Sequence, residues 1–213
     1  NKYDKYLDKD LIKQEYPCTP QEAFLLSGKN VFDTAIILDR LAALQKPIKT
    51  GYFKYDYDGL KITDIQWVND KSGYIKLYDV PRLTEYCIGG DTAGEGSDFF
   101  TGHVLDAKTG EQVAVLKHQF YADQYVKQMY CIGMYYKTAL IGIEANFDSF
   151  PIKELQRLGY PKQYEREQQD TYTGKTEKRF GFKTTANTRP TIISALVEIV
   201  REHCNLINDK DTL

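Results

Sequence analysis

No stretch of the 213 residues approaches the roughly 18 consecutive apolar positions of a membrane-spanning helix, and no signal-peptide pattern opens the chain. Cysteine is scarce: Cys18, Cys87, Cys131 and Cys204 are widely spaced and form no CxxC pair. That argues against a disulfide framework or a zinc knuckle and suits reduced, structural thiols of a cytoplasmic protein. The three histidines are scattered as well, His103 and His118 in expected strands and His203 at an expected helix end, so no histidine metal cluster is expected. There is no GxxxxGK[ST] phosphate loop, hence no nucleotide site of that kind. A formal net charge of −2 leaves any attraction to nucleic acid to a local patch. Tryptophan occurs once, as Trp67, expected in the core of the amino-terminal strands. No internal repeat or low-complexity segment interrupts the chain.

What the chain has is 42% hydrophobic and 27% charged residues, the balance of a globular domain with a sizeable core. Its seventeen tyrosines favour strands and half-wet surfaces. Thr19, Pro20 and Glu22 carry the N-cap, N1 and N3 signals of a helix start, and a second helix is expected over Asp33 to Leu44. Between 51 and 80 aromatic and polar residues alternate, with Gly59 and the Asn69 to Gly73 cluster as breaks, which predicts antiparallel strands. Further strands are expected near Glu85 to Gly90, Phe99 to Leu105 and Gln112 to Phe120, the last two joined by the turn Asp106 to Gly110. Helical spacing of Tyr125, Val126, Met129, Ile132 and Tyr136 predicts a helix from Ala122 to Lys137.

The run Ala139 to Ile143 is continuously apolar, which predicts a strand covered on both faces in the middle of a sheet. A helix over Ser149 to Leu158, a polar hairpin through Thr171 to Thr185 and a helix over Pro190 to Glu202 follow. In the last helix Ile192, Ile193, Leu196, Ile199 and Val200 form the expected buried stripe. Strand, hairpin pair, helix, apolar strand and helix is the order of an RNase H-like α/β fold, a mixed central sheet flanked by helices, here behind an N-terminal extension. Residues 1–49 read as a linker and 50–213 as the domain. Asn1 and Leu213 read as cuts from a longer chain.

That order places the first strand beside the strand after the helix. Asp91 ends one and Glu144 the other, 53 residues apart in sequence. Adjacent carboxylates repel, and one stays protonated unless a cation lies between them. Hard oxygen ligands suit Mg²⁺ or Mn²⁺. Two such ions about 4 Å apart serve phosphodiester hydrolysis, one at the attacking water and one at the leaving oxygen. Gly89, Gly90, Gly94 and Gly96 leave room for a nucleic-acid backbone. The competing reading is an acidic turn or cap, and the sequence pattern leaves both open.

Three segments together resemble the C-terminal nuclease part of the large terminase subunit of tailed double-stranded DNA phages and prophages. They are EYPCTPQEAFLLSGKNVFD (Glu15 to Asp33), YCIGGDTAGEGSDFFTGHVLD (Tyr86 to Asp106), and IGIEANFDSFPIKELQRLGYP with GFKTTANTRPTIISALVEIVRE (Ile141 to Pro161, Gly181 to Glu202). The resemblance implies a metal-dependent endonuclease that cuts concatemeric viral DNA during packaging, in the cytoplasm of the bacterial host. Double-stranded DNA, the small terminase subunit and the portal protein are its implied partners. Carried over by position, Asp91 is the first catalytic and metal-binding acid, Glu144 the second, and Asp98 an accessory metal ligand. A last acid is implied in an Asp-rich motif beyond Leu213. Asp211 is the nearest stand-in within this sequence, with Asp209 beside it.

Asp148 is expected to cap a helix and Asp106 to shape a turn. Between Thr171 and Pro190, five cations face one acid: Lys175, Lys178, Arg179, Lys183 and Arg189 against Glu177, a local net charge of +4. With Tyr172, Phe180 and Phe182 among them, they are candidate contacts to a DNA backbone. The rival functions are another RNase H-like nuclease, of resolvase type, and a non-catalytic module that holds DNA.

Overall fold

In a computed structural model of the chain, the described residues are 31–93, 98–146, 148–169 and 176–213. The helix start at Thr19 therefore lies outside the described residues. Helix α1, Thr34–Ala43, begins where Asp33 accepts hydrogen bonds from the amides of Ala35 (3.0 Å) and Ile36 (3.3 Å), an N-cap. Strands β1 (Lys49–Asp58) and β2 (Lys61–Asn69) form an antiparallel hairpin that turns at Gly59, whose φ of +60° a side chain would strain. Strand β3 (Ile75–Leu77) is followed by β4 (Tyr86–Asp91), β5 (Phe100–Asp106) and β6 (Gln112–His118). Helix α2 (Ala122–Tyr135) leads to β7 (Leu140–Ile143), and α3 (Phe150–Arg157) follows. A small hairpin, β8 (Glu165–Gln169) with β9 (Thr176–Phe180), precedes α4 (Thr188–His203) and a 3₁₀ turn, Cys204–Leu206.

The main sheet has seven strands in the order β2-β1-β3-β6-β5-β4-β7. Its ladders are antiparallel except β4 with β7, the parallel pair that a helical crossover such as α2 permits. Tyr125, Val126, Met129 and Ile132 of α2 are buried in one cluster with Ile75, Ile88, Val104 and Leu116 of the sheet. Burial of each large side chain contributes about 1.5–3 kcal/mol. Trp67 packs against this cluster, edge-on to Phe53. A second, smaller cluster joins Phe32, Ile36 and Ile37 around α1 to Val200, Cys204 and Ile207, so part of the stretch read as linker packs on the C-terminal segment. Among the described residues no helix is long and apolar enough to cross a membrane.

Three local expectations are corrected. β7 is the terminal strand of the ladder, not a middle one. Ile141 and Ile143 are buried, but Leu140 is exposed and Gly142 has no side chain to cover. Its outer edge is closed instead by single bridges to Gln163 and Phe182, which satisfies its backbone groups without another strand. The hairpin starts earlier than expected, because β8 (Glu-Arg-Glu-Gln-Gln) is polar on both faces and shows no alternation. In α4 only Val200 of the expected stripe is buried; Ile192, Ile193, Leu196 and Ile199 keep 38–43% of their surface exposed. Helical periodicity located an apolar face but not whether anything covers it.

Candidate active site

The ladder between β4 and β7 pairs Cys87 with Leu140, Ile88 with Ile141, Gly89 with Gly142 and Gly90 with Ile143. Asp91 and Glu144 come next on each strand. The Glu144 amide donates to the Gly90 carbonyl at 2.8 Å, so the register continues through the acids. On the other side of Glu144, the Phe182 amide donates to Ile143 O (2.8 Å) and the Ala145 amide to Phe182 O (2.7 Å). Glu144 is thereby held between β4 and the segment that follows the hairpin. Gly90 is required for close packing: a Cβ there would collide with the Tyr125 hydroxyl and come 2.9 Å from Met129 Cε. Tyr125 donates to Thr101 O (2.8 Å), and Thr101 is the cross-strand partner of Asp91. An α2 side chain thus props up the strand end that carries the first acid.

The Asp91 side chain reaches solvent, yet neighbouring atoms remove part of its hydration. That desolvation pushes its carboxyl up to about 6, and a hydrogen bond with Glu144 and the Glu144 charge push the same way. The Thr92 amide opposes the rise, and the Asp98 charge adds slightly to it. Burial, then the Asp91 charge, also push the Tyr125 phenol up.

The other candidates separate. Asp98 stands at the exposed loop end before β5, near enough for its charge to act on Asp91. Asp211 is drawn to cations instead, 3.2 Å from Lys76 Nζ and 3.7 Å from Lys117 Nζ. Asp209 is 1% exposed and accepts from Lys76 Nζ (2.8 Å) and the Tyr78 hydroxyl (2.7 Å). Among the described residues no three His, Cys, Asp or Glu side chains group closely enough to hold a metal ion. Thr92 Oγ1, next to Asp91, is buried without a hydrogen-bond partner among the described residues. Asp148 accepts from the Phe150 amide (2.8 Å) and Asp106 from the amides of Lys108 (2.8 Å) and Thr109 (3.2 Å), the expected structural uses.

Of the basic candidates, Lys175 lies outside the described residues. Lys178 pairs with Glu165 (3.2 Å) and Arg179 with Glu177 (3.1 Å), both in solvent, while Lys183 and Arg189 are exposed. Arg189 is the second residue of α4, whose start is held by reciprocal bonds between Thr185 and Thr188. Sequence reasoning passed over Lys153 and Arg166, which share a groove with Arg179 and Lys183 beside Ala145. Arg166 is the one cation of β8 and faces Arg179 across the hairpin, whereas Lys153 joins them only because α3 meets the hairpin.

A seven-stranded mixed sheet with one parallel pair at its edge, an α2 crossover and flanking helices is an RNase H-like α/β fold. Solved structures that align with this chain include phage proteins. The large terminase nuclease of thermophilic phage G20c with bound cobalt aligns at a TM-score of 0.52 and 16% identity, over 86% of this chain and 77% of that one. The same nuclease without that metal aligns at 0.49 and 16% over 82% and 76%. The large terminase nuclease domain of Thermus phage P74-26 aligns at 0.48 and 18% over 82% and 73%. No protein-family model and no curated protein matches the chain.

Proposed function

We propose that this chain is a metal-dependent endonuclease of the terminase type, cutting double-stranded DNA with Asp91 and Glu144 as its central acids. The observation that carries this reading is the pair itself. Two carboxyls meet at adjoining strand ends, and lost hydration, then the Glu144 hydrogen bond and charge, push the Asp91 carboxyl up to about 6. A protein that keeps such repulsion at a solvent-facing strand end has a use for a cation there. The donor set fits Mg²⁺ or Mn²⁺: carboxylate oxygens, a solvent-exposed Asp91 and, among the described residues, no thiol or imidazole grouped with them. A structure of the same fold was solved with cobalt bound.

With Mg²⁺ or Mn²⁺ bound, as a two-ion site, the ions would supply Lewis acidity to phosphodiester hydrolysis. Asp91 and Glu144 would hold them, with Asp98 in an outer or bridging role. Asp211, tied to Lys76 and Lys117, is the weakest of the proposed ligands in this arrangement. Lys175, Lys178, Arg179, Lys183 and Arg189 would neutralise DNA phosphates without reading sequence. In the terminase setting the substrate is concatemeric viral DNA, the partners are the small terminase subunit and the portal, and the place is the host cytoplasm. Residues 1–49 would join this domain to a packaging motor.

Supercoiled-plasmid nicking with Mn²⁺, Mg²⁺ or EDTA tests this. Metal-dependent nicking that falls by at least about 100-fold in both Asp91→Ala and Glu144→Ala is the expected result. A folded wild type that binds duplex DNA in EDTA but never cuts would replace the nuclease with a DNA-holding module. Preference for four-way junctions over linear duplex would replace it with a resolvase.

A further inference from the structure

Arg166 on β8 donates through Nη1 to the carbonyls of Phe180 (2.8 Å) and Gly181 at the root of β9. The next residue, Phe182, pairs with the backbone on both sides of Glu144. Gly181 has a φ of +83°, and a Cβ there would meet Ile143 O at 2.9 Å and collide with Ile152 Cδ1 of α3. Hairpin root, α3 and the strand end carrying Glu144 are therefore locked into one arrangement. A flexible basic loop would have no such attachment.

That arrangement leaves a groove of ≈480 Å³ between α3 and the hairpin, and it starts at Ala145, the residue after Glu144. Among the described residues its charged lining is cationic: Lys153, Arg166, Arg179 and Lys183, with Ser149 and Gln156 as polar companions. Among the described residues no ion pair engages Lys153 or Lys183. Arg179 meets Glu177 only in solvent, where such a pair is weak and readily exchanged. In a chain whose net charge is −2, four cations converging without a carboxylate select a polyanion. Among the described residues Phe180 is the one aromatic in its lining, so its chemistry suits a sugar–phosphate backbone better than stacked bases.

We propose that this groove is a phosphodiester channel for the strand being cut, running away from the scissile bond past Glu144. Lys153 and Lys183 contact the phosphates next to the scissile one, and Arg179 leaves Glu177 to join them. Arg166 is a positioning residue: it holds the channel in fixed relation to Glu144. That this strand is the one cut rests on the nuclease reading above; the binding of phosphates does not.

The test is fluorescence anisotropy of a labelled mixed-sequence DNA duplex in EDTA, over a KCl series, with the whole 213-residue chain. Lys153→Gln with Lys183→Gln should weaken binding by about tenfold or more near 0.1 M salt. It should also flatten the log Kd against log salt slope by about 1.8, two contacts' worth. Lys108→Gln, in the β5–β6 turn at the far end of the sheet from Asp91, should change neither. Arg166→Lys keeps the charge but not the planar guanidinium whose Nη1 meets both carbonyls; it should leave Kd within about twofold while the nicking rate at saturating DNA falls, with unchanged circular dichroism. A double variant that binds like Lys108→Gln, or a wild type that does not bind duplex, overturns the channel. A wild type that nicks through Asp91 while the double variant binds normally overturns the channel and leaves the nuclease. Binding that depends on Lys153 and Lys183 without any nicking does the reverse.

Discussion

The amide of Glu144 donates to the carbonyl of Gly90, 2.8 Å away, and this one bond ties the ends of two strands distant in sequence. β7 cannot slide along β4 by one residue without breaking it, and such a slip would turn Glu144 to the opposite face. The Asp91–Glu144 pair is thus set by backbone register rather than by contacts between the two side chains, which repel once both are ionised.

Stability should carry the mark of Asp91's lost hydration and, after it, of its Glu144 neighbour. The Asp91 carboxyl in the folded protein lies near 6, above its ordinary 3.8. A raised carboxyl stabilises the fold below the unfolded value, and this contribution is lost as pH rises through 6. In EDTA, Asp91→Asn should therefore raise the melting temperature at pH 7.5 and not at pH 4. The side chain is solvent-facing, so the gain should be about 1 kcal/mol rather than the full shift. Equal differences at both pH values would remove the crowding argument.

Cation binding should compete with that proton. Titration calorimetry with Mg²⁺ or Mn²⁺ should show affinity falling below about pH 6, with proton release near that pH. The heat should depend on the buffer's ionisation enthalpy, and Asp91→Asn should abolish that dependence. Affinity that is flat from pH 5 to 8 would place the cation elsewhere.

Gly90 should be irreplaceable for packing reasons. Gly90→Ala puts a methyl into the Tyr125 hydroxyl and should cost about 1–3 kcal/mol in urea unfolding. Tyr125→Phe alone loses the bond to Thr101 and should cost about 1 kcal/mol. The double variant should be less destabilised than the sum, because the second change makes room for the first. Strict additivity would show that the two do not meet.

At the other end of the chain, Asp209 is buried against Lys76 and Tyr78. Burial opposes its ionisation, but those partners outweigh it and hold the carboxyl below its ordinary range. Its contribution is present above the unfolded value and lost as pH falls through the folded one. Asp209→Ala should destabilise by about 3 kcal/mol at pH 7, leaving Lys76 without its 2.8 Å partner, and by much less at pH 2.

Much of the fold was legible because local signals agreed. Asp33 is the N-cap of α1, Gly59 and the 106–110 turn sit where the chain reverses, and α2 follows its apolar spacing. Asp91 and Glu144 were legible for the same reason: each ends an apolar strand, and the strand order implied the pairing. The errors fell where a local pattern has two tertiary outcomes. An apolar run such as Leu140–Ile143 suits a middle strand or an edge covered by single bridges, and only long-range backbone bonds to Lys162, Tyr164 and Phe182 choose.

Propensity, capping and periodicity act within a few residues, and they were enough for the α/β class, the helices and main strands, and the two acids at strand ends. Long-range packing was needed to leave the apolar face of α4 open, to turn Asp211 to Lys76 and Lys117, and to bring Lys153 to the hairpin cations beside Glu144. Those relations join residues far apart in the chain. They are set by which surfaces the packed core and the sheet register bring into contact, and no local pattern encodes that.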